Sequence, residues 1–199
     1  MTVPLRSLVK PGDARIEPVK DVVTGPPEPT VYFAYGYNMS TARLKERLPS
    51  SKPIGIATLA GHALRFHKRS QDGSGKCNAF ETADSDDTVV GVLFSFDPSE
   101  RAALDKAEGV GSGYEHAVVT VINDKGRRRK VLTYKATSDY VDDSLKPYDW
   151  YKEFVLAGAL EHGLPARYVD ERISSQPAIE DPNVKRSEKQ RAVLHGSGR

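Results

Sequence analysis

Between Val31 and Lys135 the chain carries a series of short β-branched and aromatic runs, each stopped by glycine or a polar turn. Val31-Tyr32-Phe33-Ala34-Tyr35 reads as a buried strand ending at Gly36. Ser40-Thr41-Ala42-Arg43 then opens a short polar helix that ends before Pro49. Ile54 to Phe66 supplies one or two strands broken at Gly61, and Ala79-Phe80-Glu81 and Thr88 to Phe96 read as paired strands around Asp84-Ser85-Asp86-Asp87. Ala117 to Ile122 and Arg129 to Lys135 flank a turn and predict a hairpin. Many strands and few helices, without βαβ alternation, predict an α+β fold with a strongly curved, mainly antiparallel sheet.

Helix signals are sparse but specific. Asp97-Pro98-Ser99-Glu100 places an N-cap acid, a proline at the first helical position and a glutamate at the third. Leu104 and Ala107 share one face, and Gly109 supplies the stop. Trp150, Phe154 and Ala157 repeat at helical spacing, with Gly163 and Pro165 closing that helix.

The 199 residues suit one core, expected over residues 30–175. Residues 1–29 hold six of the 13 prolines and read as a proline-rich arm. Residues 176–199 are polar and read as a loosely held, charged tail, with room for a turn or two of helix at Ser187–Leu194. Neither end is expected to carry chemistry.

A formal net charge of +2 gives nucleic acid and acidic membranes no claim. The basic run Arg127-Arg128-Arg129-Lys130 reads as a solvated hairpin end rather than a phosphate patch. No stretch reaches the ~20 apolar residues of a spanning helix, and Met1–Lys10 lacks an apolar signal core. One cysteine, Cys77, permits no internal disulfide, so a cytoplasmic setting is the expectation. Cys77 is expected to pack as a small hydrophobe. The five histidines show no ligand spacing, since His62 and His67, five apart, share neither a helix face nor a strand face. No metal and no cofactor are expected. Gly73-Ser74-Gly75 before Lys76 reads as a turn, because the rest of a phosphate loop is absent.

Two features stand out as candidate chemistry. The junction Tyr35-Gly36-Tyr37-Asn38-Met39 has two readings: an ordinary strand-to-helix turn, or a place where backbone N–H groups meet a carboxylate or oxyanion. Glu108 lies at the end of its helix that faces the negative pole of the macrodipole, where a cation is favoured. Exposed, it costs a few tenths of a kcal/mol; buried, its pKa rises toward the range of a proton carrier. Lys106, two residues away, lies on the wrong face to pair with it.

Three ordered segments together resemble the gamma-glutamylcyclotransferases and their AIG2-like relatives. VYFAYGYNM at 31–39 is similar to that family's YFAYGSNM-type signature. Leu104-Asp105-Lys106-Ala107-Glu108-Gly109-Val110, with Ser112-Gly113-Tyr114, resembles the segment around its catalytic glutamate. Trp150-Tyr151-Lys152 and Gly163-Leu164-Pro165 resemble its closing helix and turn. The resemblance implies a small mixed, mainly antiparallel β-barrel with flanking helices, and intramolecular cyclisation of a small γ-glutamyl substrate, releasing 5-oxoproline and a free amino acid or amine. It implies Glu108 as the general base and acid, and substrate binding by Tyr32, Phe33, Ala34, Tyr35, Gly36, Tyr37 and Asn38, completed by Tyr114 and Tyr151. A monomer or homodimer without nucleic-acid or membrane partners is expected.

Tyr37 departs from the family pattern, which carries serine there. If only its backbone N–H is used, the change is silent; a side chain in the cavity narrows it and leaves the leaving group open. A γ-glutamylamine-type lyase and a non-catalytic ligand-binding member are the alternative readings.

Overall fold

The computed structural model describes residues 28–82 and 84–196. Five strands close a barrel in the order β1 (Thr30–Ala34), β5 (Thr88–Phe96), β2 (Lys52–Ala60), β6 (Tyr114–Asn123), β7 (Arg128–Ala136). All neighbours are antiparallel except β1 and β7, which meet in parallel at Tyr32↔Leu132 and close the ring. A separate two-stranded sheet, β3 (His62–Arg69) with β4 (Gly75–Glu81), packs beside it. The fold is therefore the small mixed barrel with flanking helices that the resemblance implies, and it agrees with the curved, mainly antiparallel sheet that the strand pattern predicts. The proline-rich arm over 1–29 falls almost wholly outside the described residues.

Local signals are realised closely. The chain turns between β2 and β3 at Gly61, whose φ of 71° suits glycine. Asp97 Oδ1 accepts from the Ser99 N–H at 2.8 Å and starts a helical turn at Pro98 that leads into α2 (Arg101–Glu108). Gly109, at φ 68°, ends it in the left-handed conformation. The basic run 127–130 is exposed at the β6–β7 hairpin end.

One expected pairing is corrected. Ala79–Glu81 does not pair with Thr88–Phe96: β4 pairs with β3, whereas β5 lies between β1 and β2. β5 is buried on both faces along Val89–Phe94, which suits a strand with neighbours on both edges.

The helices pack outside the barrel. In α3 (Asp149–Glu161) the buried residues are Trp150, Tyr151, Phe154, Val155, Gly158 and Ala159, so Trp150 and Phe154 of the expected repeat are buried and Ala157 sits at the edge. A Cβ on Gly158 would lie 2.7 Å from the Ser40 nitrogen, so this glycine lets α3 press against the turn before α1 (Thr41–Lys45). After the short α4 (Ala166–Val169), the turn or two of helix expected at Ser187–Leu194 is longer than expected: Val184–Gly196 forms α5. Arg191 of α5 pairs with Asp149, at 2.8 Å, and with Glu153 of α3. Buried Asp181 takes two hydrogen bonds from Arg186 at 2.6 Å each and one from the Trp150 indole at 2.8 Å. These donors hold its carboxyl down at about 2. Interleaved charges across 149–191 are a non-local pattern that a polar composition conceals.

Candidate active site

Gly36 ends β1 where the chain passes over β4, and a Cβ there would lie 2.9 Å from that of Cys77. Close approach, rather than a left-handed turn, explains the glycine. The next three residues, Tyr37–Met39, make one helical turn. This turn, α2 and β4 surround a cavity of about 270 Å³.

Glu108 reaches the cavity from the last position of α2, its side chain 14% exposed. The Asn38 amide donates to Glu108 Oε1 and also reaches the Tyr32 hydroxyl at 3.3 Å. Arg47, from the turn after α1, donates to Asn38 Oδ1 at 2.7 Å and stands 3.9 Å from Glu108. Burial pushes the Glu108 carboxyl above its ordinary value; Arg47 and Lys68 oppose this without reversing it. The helix end adds to the same tendency. A carboxyl held by one amide, with its proton affinity raised, can accept and return a proton.

Tyrosines form much of the remaining wall. Tyr35 donates to the Tyr134 carbonyl, and the Tyr134 hydroxyl donates to Asp105 at 2.5 Å. The hydroxyls of Tyr114 and Tyr151 both meet the Cys77 backbone: Tyr114 donates to its carbonyl at 2.5 Å, and Tyr151 accepts from its N–H at 3.1 Å. The Tyr151 hydroxyl also hydrogen-bonds with the Cys77 thiol. Cys77 itself is buried, its thiol pushed up to about 12 by burial. It packs, as expected.

The Tyr37 ring lies in the cavity wall. It stacks parallel on Tyr151 at 5.5 Å, tilts against Phe154 at 4.6 Å, and its hydroxyl donates to Gln190 Oε1 at 2.8 Å. The Arg43 guanidinium sits 5.1 Å from the ring centroid. The substitution for serine is therefore not confined to the backbone, and it brings α5 to the site.

Of the residues expected at the site, Tyr32, Tyr35, Gly36, Tyr37, Asn38, Glu108, Tyr114 and Tyr151 border the cavity. Phe33 and Ala34 do not. Both are fully buried in the core, and Phe33, adjacent to Tyr32, points to the other face of β1. Arg47, Lys68, Asp72, Lys76, Tyr134 and Gln190 also border it and were not anticipated, because segments distant in sequence deliver them. Lys76 donates to Asp72 Oδ2 and Ser74 Oγ, both at 2.8 Å, so the Gly-Ser-Gly turn positions a lysine rather than a phosphate. Among the described residues, no group of three or more His, Cys, Asp or Glu side chains is arranged to hold a metal ion. No helix among them is long and apolar enough to cross a membrane.

A closed barrel opening onto one polar cavity, organised around a single buried carboxyl, defines a small-molecule site with an acid–base group at its centre. Comparison with known proteins gives that class a family. Residues 88–171 match the AIG2-like family. A gamma-glutamylcyclotransferase of Bos taurus is 34% identical over 156 residues, covering 75% of this chain and 80% of its own length. That of Homo sapiens is 34% identical over 161 residues, covering 78% and 84%. A solved gamma-glutamyl cyclotransferase structure aligns with a TM-score of 0.75 at 30% identity, over 85% of this chain and 99% of its own. The chain belongs to the gamma-glutamylcyclotransferase family.

Proposed function

We propose that this protein cyclises the γ-glutamyl group of a small substrate, releasing 5-oxoproline and a free amino acid or amine, with Glu108 as the proton carrier. The observation that carries the reading is Glu108 itself: a largely buried carboxyl with a raised pKa, held by Asn38 at a cavity of small-molecule size.

The substrate supplies its own nucleophile, so no activated serine or cysteine is needed. Glu108 takes a proton from the α-ammonium, and the freed amine attacks the γ-carbonyl carbon. Attack closes the ring as a tetrahedral oxyanion with a protonated ring nitrogen. Glu108 returns its proton to the departing nitrogen, and the old carbon–nitrogen bond breaks as the carbonyl re-forms. The extra proton of the ring nitrogen passes to the released amine, which leaves as its ammonium. Tethering amine and carbonyl in a near-attack shape removes several kcal/mol of the barrier. The backbone of the Gly36–Asn38 turn serves the developing oxyanion, and the Tyr151 hydroxyl lines the wall beside it. Tyr32, Tyr35 and Tyr114 shape the wall around the glutamyl group.

Glu108→Gln preserves the acceptor for Asn38 and removes the proton carrier. It is expected to lower kcat for 5-oxoproline release from γ-glutamyl-alanine by about 10³-fold, with an unchanged circular dichroism spectrum. Full activity in that variant excludes the mechanism.

A further inference from the structure

Helix α5 reaches the cavity from the far end of the sequence. Arg186, Gln190, Val193 and Leu194 fall on one face of it, at spacings of three and four. Buried Asp181 fixes Arg186, and Val193 and Leu194 pack against the core. Arg191, next to Gln190, pairs with Asp149 and Glu153 of α3. Held in this way, the helix presents Gln190 to the cavity as a half-buried side chain.

Hydrogen-bond polarity fixes which end of that amide is spent. The Arg43 guanidinium lies against the Tyr37 ring and shares a hydrogen bond with its phenol. A guanidinium only donates, so the phenol oxygen accepts there and gives its own proton to Gln190 Oε1 at 2.8 Å. The phenol is held in place, since its ring stacks on Tyr151 and tilts against Phe154. The carbonyl end of the Gln190 amide is therefore occupied and its orientation set. Its nitrogen carries two N–H donors, and among the described residues no acceptor takes a hydrogen bond from them. A serine at position 37, as in the family pattern, carries its hydroxyl on Cβ and falls short of α5 by the length of the phenol ring.

Binding cavities fix their ligands through a few aimed polar groups. The other donors beside Tyr37 are already engaged: Arg43 pairs with Glu46, and Arg47 donates to Asn38 Oδ1 and stands 3.9 Å from Glu108. Gln190 Nε2 is the neutral donor left over on this wall. Its ligand, on the cyclotransferase reading above, is the γ-glutamyl compound, which offers carboxylate and carbonyl oxygens as acceptors. We infer that Gln190 is a further substrate-binding residue, its amide N–H groups donating to an oxygen of the bound γ-glutamyl compound, and that Tyr37 is the positioning residue that aims them.

Two substitutions separate contact from support. Tyr37→Phe keeps the ring and removes only the hydrogen bond that aims the amide. Gln190→Leu removes the donors as well and adds no charge. Calorimetric Kd values for γ-glutamyl-alanine are measured in the Glu108→Gln background, where turnover does not consume the ligand. Gln190→Leu is expected to weaken binding roughly 5- to 30-fold and Tyr37→Phe no more than about threefold. The two changes together should weaken it no further than Gln190→Leu alone. With Glu108 intact, the Gln190→Leu loss should fall on KM, with kcat within about twofold of wild type. Were Gln190 only an acceptor for Tyr37, the two variants would bind alike. Equal Kd values for the two, a wild-type Kd in Gln190→Leu, or a loss confined to kcat overturns the assignment. Gln190→Glu keeps the acceptor for Tyr37, and with it the tie to α5, but has no donor. It should also lose affinity, and a wild-type Kd in that variant overturns the assignment whatever Gln190→Leu shows. Release of 5-oxoproline judges the reaction separately. Absent turnover with a weakened Kd in Gln190→Leu leaves the contact standing and removes the reaction. Intact turnover with an unchanged Kd does the reverse, and no binding of γ-glutamyl-alanine in any form removes both.

Discussion

Hairpin β6–β7 runs from Tyr114↔Ala136 to Ile122↔Arg128 without a register shift, and its charges are outside: Arg127 to Lys130 are exposed at its end. Hairpin β3–β4 is shorter and shifts register, and it buries His67, Lys68 and Asn78. Water answers the charges of the first, so they contribute little to the fold. In the second, each polar group requires a protein partner or a ligand. Asn78 Oδ1 accepts from the Ala136 N–H of β7 at 2.9 Å, which turns its amide toward His67 Nε2 at 3.0 Å. His67 Nδ1 then carries the proton and donates to Asp143 at 2.6 Å. Lys68 differs: among the described residues no acceptor hydrogen-bonds its ammonium, which packs against the Tyr114 ring and feels the charges of Glu108 and Asp72. The comparison teaches that a regular hairpin builds the barrel, and an irregular one, tied to it through Asn78, equips the cavity.

The contrast breaks most directly at Asn78. Asn78→Ala leaves the Ala136 N–H and His67 Nε2 unpaired and is expected to lower the unfolding free energy by roughly 2–4 kcal/mol. Urea denaturation measures it, and a wild-type midpoint would show that the two hairpins are not coupled through this residue.

A smaller effect is expected across the cavity, at Glu108. Its folded pKa lies above the ordinary 4.5, so the folded state holds the proton more tightly than the unfolded one. Ionising it therefore costs stability, in full above the folded pKa and not at all below about 4.5. Glu108→Gln escapes that cost. Its Tm at pH 7 should exceed that of wild type by a few degrees, and the advantage should shrink as pH falls through the raised value toward 4.5. Equal melting at pH 7 would mean that Arg47, Lys68 and Asn38 compensate fully for burial.

The smallest change is expected at the regular hairpin. Replacing Arg127, Arg128 and Arg129 together by alanine should shift stability by no more than about 0.5 kcal/mol per site and leave 5-oxoproline release unaltered. A large loss in either assay would give that basic run a role beyond solvation.

Signals confined to a few residues are legible in the amino-acid sequence. Asp97-Pro98 and Gly109 bound a helix by capping chemistry that acts within one turn, and they place Glu108 at its costly end. Gly61 separates two strands, and the alternation on either side of Asn123–Gly126 makes the β6–β7 hairpin. The tyrosine-rich run ending at Gly36 marks one cavity wall. The same run also points to Phe33 and Ala34, because a motif does not say which face of its strand meets the ligand.

Tertiary structure decided the rest. The partner of β5 depended on competition among strands far apart in sequence, and the turn at Asp84–Asp87 does not record the result. Lys68 and Lys76 face the cavity because of a register shift, and a shift of one residue moves a side chain to the other face. Gln190 reaches Tyr37 across 153 positions because Arg186 and Arg191 tie α5 down. By itself the sequence determined the barrel's elements and the place of the acid, since turn and cap energies are local. Which charges surround that acid was settled only by packing, since a charge's cost or use depends on neighbours that folding alone brings together.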